Sequence, residues 1–354
     1  MSTLSRNLLR RRTYASLVEE GIRPNLRDVL PEWLRTINVF RYQEAWATWV
    51  WLSQHLLGLV CGVLFFTHFF SWTGVLWWLG FALVHAHFFH TFWYHRYCSH
   101  RAFRFRHLWV ARLIYWLNPL MIKEETYVIP HFVHHKISDT PGDPYGPRNG
   151  YWGTVSATES ANFFNRQMSQ KEFNFCDRFL AHIPSFWNSE DRFRATGSFE
   201  KRWLYPLRFL VCNGFWFTLF LAIGRPDLLM AFYFAALTFL LIMRDFNYRG
   251  HDEHSEHEPK LDTKSLAVNQ WFYGIVASEW HDNHHRFSTS AKAGFERLEL
   301  DVSFAITRLL HKLGILESYV DSSRGYEREI VKVIAGRKAR QNSEAFSTTV
   351  HPRE

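Results

Sequence analysis

Four apolar stretches, grouped as two pairs, dominate the pattern of this chain. Residues 47–70 and 72–93 form the first pair, and residues 203–223 and 226–246 form the second. Each is long enough to cross about 30 Å of hydrocarbon at about 1.5 Å per residue. Trp and Phe crowd their ends, as membrane interfaces favour. Mean hydropathy is slightly negative because long polar segments flank the pairs. The pattern predicts one membrane unit over residues 47–335, not the two or three soluble domains that 354 residues would allow. Two buried hairpins of a soluble protein are the competing reading, and span length and aromatic content count against it.

Charge orients the spans. The connectors inside the pairs, around Ser71 to Gly74 and Gly224 to Pro226, carry one basic residue, Arg225. Nearly every other Lys and Arg lies in the amino-terminal arm, the central segment or the carboxy-terminal segment, so the positive-inside rule places all three on the cytoplasmic side. The membrane itself is either a bacterial inner membrane or the endoplasmic reticulum. Residues 1–46 read as a basic arm and interfacial segment lying against anionic headgroups. Their charge pattern also resembles a transit peptide, and they lack the apolar core of a secretory signal. The polar stretch 336–354 reads as a disordered tail. The net charge of +8 suits a membrane surface, and no nucleic-acid recognition module accompanies it. Cys61, Cys98, Cys176 and Cys212 are scattered, with no CxxC pair, and read as reduced residues.

Nine histidines then change the picture, because they fall in four short groups: His95 and His100 in HRYCSH, His131, His134 and His135 in HFVHH, His251 in NYRGH, and His281, His284 and His285 in HDNHH. All lie on the side that charge assigns to the cytoplasm. On a helix, residues three and four apart share a face, so His131 and His135, or His281 and His285, can converge. Adjacent histidines point about 100° apart, which lets one segment serve two metal ions. The five-residue spacing of His95 and His100 diverges further on an ideal helix and suits ligands divided between two centres. Asn247 and His251 would share a face.

Imidazole suits iron, zinc, copper and nickel alike. The number of histidines narrows the choice, since a catalytic zinc usually takes three protein ligands and nine exceed what one ion holds. Two ions with open positions, held by neutral nitrogens, fit dioxygen activation at non-haem iron and attack on an unactivated C–H bond. Beside membrane spans, such a site implies a lipid-soluble substrate in a narrow, dry, apolar tunnel.

These motifs resemble the membrane fatty acyl desaturases of the stearoyl-CoA desaturase type, over about His90 to Tyr319. HRYCSH is similar to that family's HRxxSH box, HFVHHKISDTPGDP to HRxHHKxSxTxxDP, NYRGH to Asn-xxx-His and EWHDNHHRF to HxxHHxF. The resemblance implies an all-α integral membrane fold, with four transmembrane helices under a cytoplasmic helical cap holding a di-iron site. It makes the nine histidines ligands of two iron ions, with Asn247 holding a water that completes one shell. It also implies O2 as co-substrate and a long acyl substrate on CoA, a carrier protein or a lipid. No haem, flavin or cysteine-rich redox module is present, so electrons would come from a separate donor such as cytochrome b5 or ferredoxin. A hydroxylase on the same scaffold is the nearest alternative, and a histidine-rich metal carrier a remote one.

Two departures from the family pattern bear on substrate and site of oxidation. Ala277-Ser278-Glu279-Trp280 replaces Gly-Glu-Gly-Trp, and Pro130 directly precedes His131, where it is expected to start a helical segment. His85, His87, His90, His254 and His257 are read first as solvated or hydrogen-bonded structural groups, and otherwise as donors supporting the ligands or as alternative ligands. Lys136 and Asp143 are read either as orienting the second box or as a surface ion pair.

Overall fold

The computed structural model describes residues 7–156, 163–251, 265–269 and 280–350. Short helices α1 (Ala15–Glu19) and α2 (Leu26–Ile37) precede α3 (Trp46–His68). After α4 (Trp72–Val84) the helical path continues unbroken as a π-helix over His85–Ser99. Strand β1 (Phe103–Phe105), α5 (Leu108–Leu117) and α6 (Glu124–Ile137) lead into α7 (Gly150–Val155), α8 (Gln170–Leu180) and α9 (Glu190–Thr196). The second long pair is α10 (Leu204–Ala222) and α11 (Pro226–Arg249). Helix α12 (His281–Arg286), α13 (Val302–Lys312), β2 (Leu316–Tyr319) and α14 (Ser323–Val350) follow.

Among the described residues, four helical segments are long and apolar enough to cross a membrane: Trp46–His68, Trp72–Ser99, Leu204–Ala222 and Pro226–Arg249. The all-α membrane architecture expected from the sequence is therefore present, with one antiparallel ribbon added, in which Phe103 pairs with Tyr319. Two boundaries differ from expectation. The second span runs on to Ser99 rather than ending near residue 93, because the π-helix carries it into the histidine-bearing region. Helix α14 continues to Val350 through the stretch whose polarity suggested disorder, and that stretch is rich in the helix formers Ala, Arg, Lys, Gln and Glu.

The spans pack closely because small and polar residues allow it. A Cβ on Gly58 of α3 would come within 2.9 Å of Leu237 Cβ on α11, so only glycine permits this approach. Gln54, Asn213 and Tyr233 join α3, α10 and α11: Asn213 Nδ2 donates to Gln54 Oε1 at 3.1 Å and Tyr233 donates to Asn213 Oδ1 at 2.6 Å. Ser71 caps α4 by accepting from Gly74 N at 3.0 Å, and Gly224 turns the second pair at φ +69.

A buried ionic layer supports α6. Arg208 of α10, fully buried, meets Glu124 at 3.1 Å and donates to Tyr94 at 2.9 Å. Beside it, Lys123 pairs with Glu125, which accepts from Ser198 Oγ at 2.8 Å and Phe199 N at 2.7 Å. Burial raises the Glu124 carboxyl, and Arg208 opposes that shift. Such pairs add little net stability over an apolar core, but losing one partner strands the other. Here they fix the first turn of the helix that presents HFVHH. Pro130 lies inside α6, which starts six residues upstream at Glu124 rather than at the box itself.

Candidate metal centre

The four histidine groups converge, and they do so as two clusters. His95, His100, His131, His135 and His284 form one, and His134, His251, His281 and His285 form the other, with the nearest ring nitrogens of each cluster all within 4.8 Å of one another. Helix α6 serves both, sending His131 and His135 to the first and His134 to the second. Helix α12 divides in the same way, with His284 in the first and His281 and His285 in the second. The sequence reading of a shared segment thus holds for both HxxHH motifs. It fails for HRYCSH, whose two histidines enter the same cluster. An α-helix would set them about 140° apart, but the π-helix closes on i→i+5 bonds. His100 N donates to His95 O at 3.1 Å, stacking residues five apart.

Within the first cluster the Nε2 atoms face one another: His100 to His131 at 2.9 Å, His131 to His135 at 3.1 Å, His135 to His284 at 2.9 Å and His284 to His95 at 3.1 Å. Within the second, His134 faces His285 at 3.2 Å and His281 faces His251 at 2.6 Å. Burial, followed by the neighbouring rings, holds His131, His135, His281, His284 and His285 well below the ordinary histidine value. His100 is lowered to about 3 by burial and then by Arg96. These imidazoles are neutral, as metal ligands must be.

Two carboxylates stand against the second cluster, and one of them hydrogen-bonds its ring. Asp143 takes His134 Nδ1 between its oxygens at 2.9 and 3.1 Å, and is itself held by the amides of Asp139 at 2.8 Å and Tyr145 at 2.9 Å. Burial opposes a charge on His134, but Asp143 outweighs it and raises the ring. Asp139 Oδ1 stands 3.0 Å from His251 Nδ1, while its other oxygen accepts from Leu266 N at 2.8 Å. Burial works against an ionised Asp139, but the His251 contact and the Leu266 amide outweigh it and hold the carboxyl below the usual range. Asp139 adopts φ +60, a left-handed conformation that Asp tolerates better than most residues. His134 Nε2 faces His285 Nε2, and His251 Nε2 faces His281 Nε2. Ring nitrogens gathered this closely in two groups suit a cation placed among each group. The donor set therefore fits a pair of metal ions.

Helix α12 is anchored independently of any ion. Asn269 Oδ1 accepts from Asp282 N at 3.0 Å, Asn283 Nδ2 donates to Glu299 at 2.8 Å, and Trp280 Nε1 donates to Leu300 O at 3.1 Å. Arg96, next to His95, binds both oxygens of Asp301 at 2.8 Å. Beside the second cluster lies a cavity of about 30 Å³, lined by Asn247, His90, Tyr127, Tyr145 and the histidines themselves. It has room for a water.

Of the residues with two readings, Asp143 is buried and orients the box, whereas Lys136 is exposed and lies over the Phe132 ring. His85 bonds Phe232 O at 3.0 Å, as a structural group would, and His87 is buried. His90 belongs to the cavity wall. His254, His257 and Ala277 to Glu279 lie outside the described residues. The sequence reading passed over Asp139, although it stands in the quoted SDTPGDP run, four residues after His135. It also passed over the five-residue recurrence of His85, His90, His95 and His100, a signal that suits a π-helix.

Fold and site together define a multi-pass integral membrane protein with two buried histidine clusters at the ends of its spans. Residues 71–299 match the family model of fatty acid desaturases and contain every clustered histidine. The chain belongs to the fatty acid desaturase family and is an oxidoreductase. It is similar to two acyl-CoA desaturases of Anemone leveillei. The acyl-CoA 5-desaturase is 27% identical over 266 residues, 74% of this chain and 76% of the relative. The acyl-CoA C20 Delta5-desaturase is 27% identical over 296 residues, 80% and 88% of the two chains. A probable chloroplastic lipid desaturase of Arabidopsis thaliana is 26% identical over 310 residues, 84% of this chain and 77% of its own.

Proposed function

We propose that this enzyme inserts a double bond into a long acyl chain, using O2 and two electrons at a centre of two iron ions that alternate between Fe2+ and Fe3+. The observation that carries the reading is the division of nine imidazoles into five and four. His95, His100, His131, His135 and His284 would hold one ion, and His134, His251, His281 and His285 the other. Asn247 would act on the second ion through a water in the adjoining cavity. Bound there, paired iron supplies dioxygen activation for C–H cleavage.

The chain's own residues do the rest. Asp143 keeps the Nδ1 proton of His134 and so makes its Nε2 a better donor, and the Asp139 carboxylate stands against His251. Burial of the histidines excludes bulk water from the centre. The reaction balances when the acyl chain gives up two hydrogens and O2 takes these together with two electrons and two protons, leaving two waters.

The electrons come from a separate carrier, of the cytochrome b5 or ferredoxin kind. All basic segments face the cytoplasm in this reading, and their charge speeds the encounter with an acidic carrier. The acyl group is carried on CoA or a lipid, since the names of the relatives include both.

The test is fatty acid analysis by gas chromatography–mass spectrometry in a host expressing the chain, with His135→Ala as control. The expected result is an acyl species lighter by two hydrogens, seen only with the intact chain. A species heavier by one oxygen would replace desaturation with hydroxylation. No new species in a reconstitution supplied with reduced carrier and both acyl-CoA and lipid-linked substrates would overturn the reading.

A further inference from the structure

Helix α2 exposes a second apolar face that a soluble helix would bury. Its packed side is mixed: Val29 and Trp33 meet Tyr14 and Val18, and Glu32 and Thr36 are buried beside them. Leu26, Leu30 and Leu34, at i, i+4 and i+8, are 42%, 47% and 57% exposed on another face. A surface helix of a globular protein buries its apolar stripe. Here the stripe stands half exposed instead.

The stripe also continues into other exposed apolar groups. Ile22 precedes it and Phe40 follows it, fully exposed. Trp49, in the first turn of the span α3, donates its indole N–H to Ile37 O at 2.8 Å and ties the end of α2 to the point where the span begins. Trp46 and Trp49 are exposed there too, at the level where aromatic side chains favour the membrane interface. Arg27 stands at the edge of the stripe, with Arg23 and Arg41 beyond its two ends, all exposed. An apolar face flanked by cations, continuous with the entry to a span, matches a helix lying in the plane of an anionic bilayer surface.

The buried side connects this surface to the metal centre. Glu32 accepts from Thr13 N at 2.8 Å and pairs with Arg10 at 3.4 Å. Arg12 of the same arm donates to Pro144 O at 2.9 Å. Pro144 follows Asp143, the carboxylate that holds His134.

We propose that Leu26–Ile37 is an in-plane membrane anchor, with its leucine stripe in the lipid interface and Arg23, Arg27 and Arg41 among anionic headgroups, and that it holds the amino-terminal arm across the loop carrying Asp143.

The test uses the full chain in nanodiscs, without turnover. Nitroxide labels are placed at Leu30→Cys, Leu34→Cys and, as a water-side control, Glu20→Cys. The four native cysteines are buried and label poorly, and the unsubstituted chain measures any background. The ratio of collision with oxygen to collision with a water-soluble nickel complex is expected to be several-fold higher at positions 30 and 34 than at position 20. Equal ratios at all three positions would overturn the anchor, and would leave the stripe to a protein partner. Adding phosphatidylglycerol to phosphatidylcholine discs should raise the ratio at position 30, and Arg27→Glu should abolish that response. A ratio indifferent to phosphatidylglycerol in the Arg27 protein would overturn the anionic part. None of these readings depends on iron or substrate, so their failure is separable from failure of the desaturase reading.

Discussion

Asp143 grips the Nδ1 of His134 between its two oxygens, at 2.9 and 3.1 Å, and both groups are almost wholly buried. Because two backbone amides fix the carboxylate, the ring can neither rotate nor change tautomer freely. Asp143→Ala is expected to lower metal affinity about 10- to 100-fold, the usual cost of losing a ligand's supporting carboxylate. Asp143→Asn, which keeps one acceptor, should fall between the variant and the parent. Iron per chain in purified protein, measured against chelator concentration, checks this. Unchanged retention in the alanine variant would remove Asp143 from the site.

His135 and His285 lie in different clusters although they face each other, with ring centroids 4.4 Å apart. Each replacement by alanine should therefore lower iron content through a different ion and abolish oxidation, while leaving the protein in the membrane. The spans do not depend on either side chain. The paired measurement is iron stoichiometry together with the membrane fraction of the expressed chain. Full activity in either variant would sink its assignment.

Periodicity and box spacing carry much of this molecule. A twenty-residue apolar run has few alternatives to a span, and HxxHH on any helix divides its rings about as α6 and α12 do. What stayed hidden depended on tertiary closure. The π-helix that brings His95 and His100 together is stabilised by Arg96–Asp301 and by Ser303 donating to His87 O at 2.7 Å, partners more than two hundred residues away. The Asp139–His251 contact likewise joins segments that local sequence does not link. Glu124 reads as an ordinary charge on a helix end until Arg208, within a span, is seen to need it.

Asn247 lines the small cavity beside His251 and His281. If its role is exercised through water, Asn247→Ala should weaken activity less than loss of any histidine and should leave iron content near that of the parent. Asn247→Leu, which fills the cavity and offers no polar atom, should be worse than alanine. The comparison is turnover rate per bound iron in the two variants. Equal, parent-like rates in both would separate Asn247 from the centre.

Glu200 supplies a pH dependence that is independent of the metal. Burial raises its carboxyl to about 7, against the pull of Lys123, whose ammonium stands 3.8 Å from one oxygen. Tyr115 donates to the other at 2.6 Å. A carboxyl raised on folding binds its proton more tightly in the folded state than in the unfolded chain. The stability it contributes is fully present below the unfolded value, and it is lost as pH rises through about 7. The thermal stability of the detergent-solubilised protein should therefore fall between about pH 4.5 and 7, by an amount on the order of a few kcal/mol if Glu200 acts alone. Glu200→Gln keeps an acceptor for Tyr115 and cannot ionise, so its unfolding should be flatter across that window and more stable than the parent at the alkaline end. A parent and variant with parallel pH profiles would show that Glu200 is already ionised in the folded protein, with Lys123 governing the buried layer beneath α6.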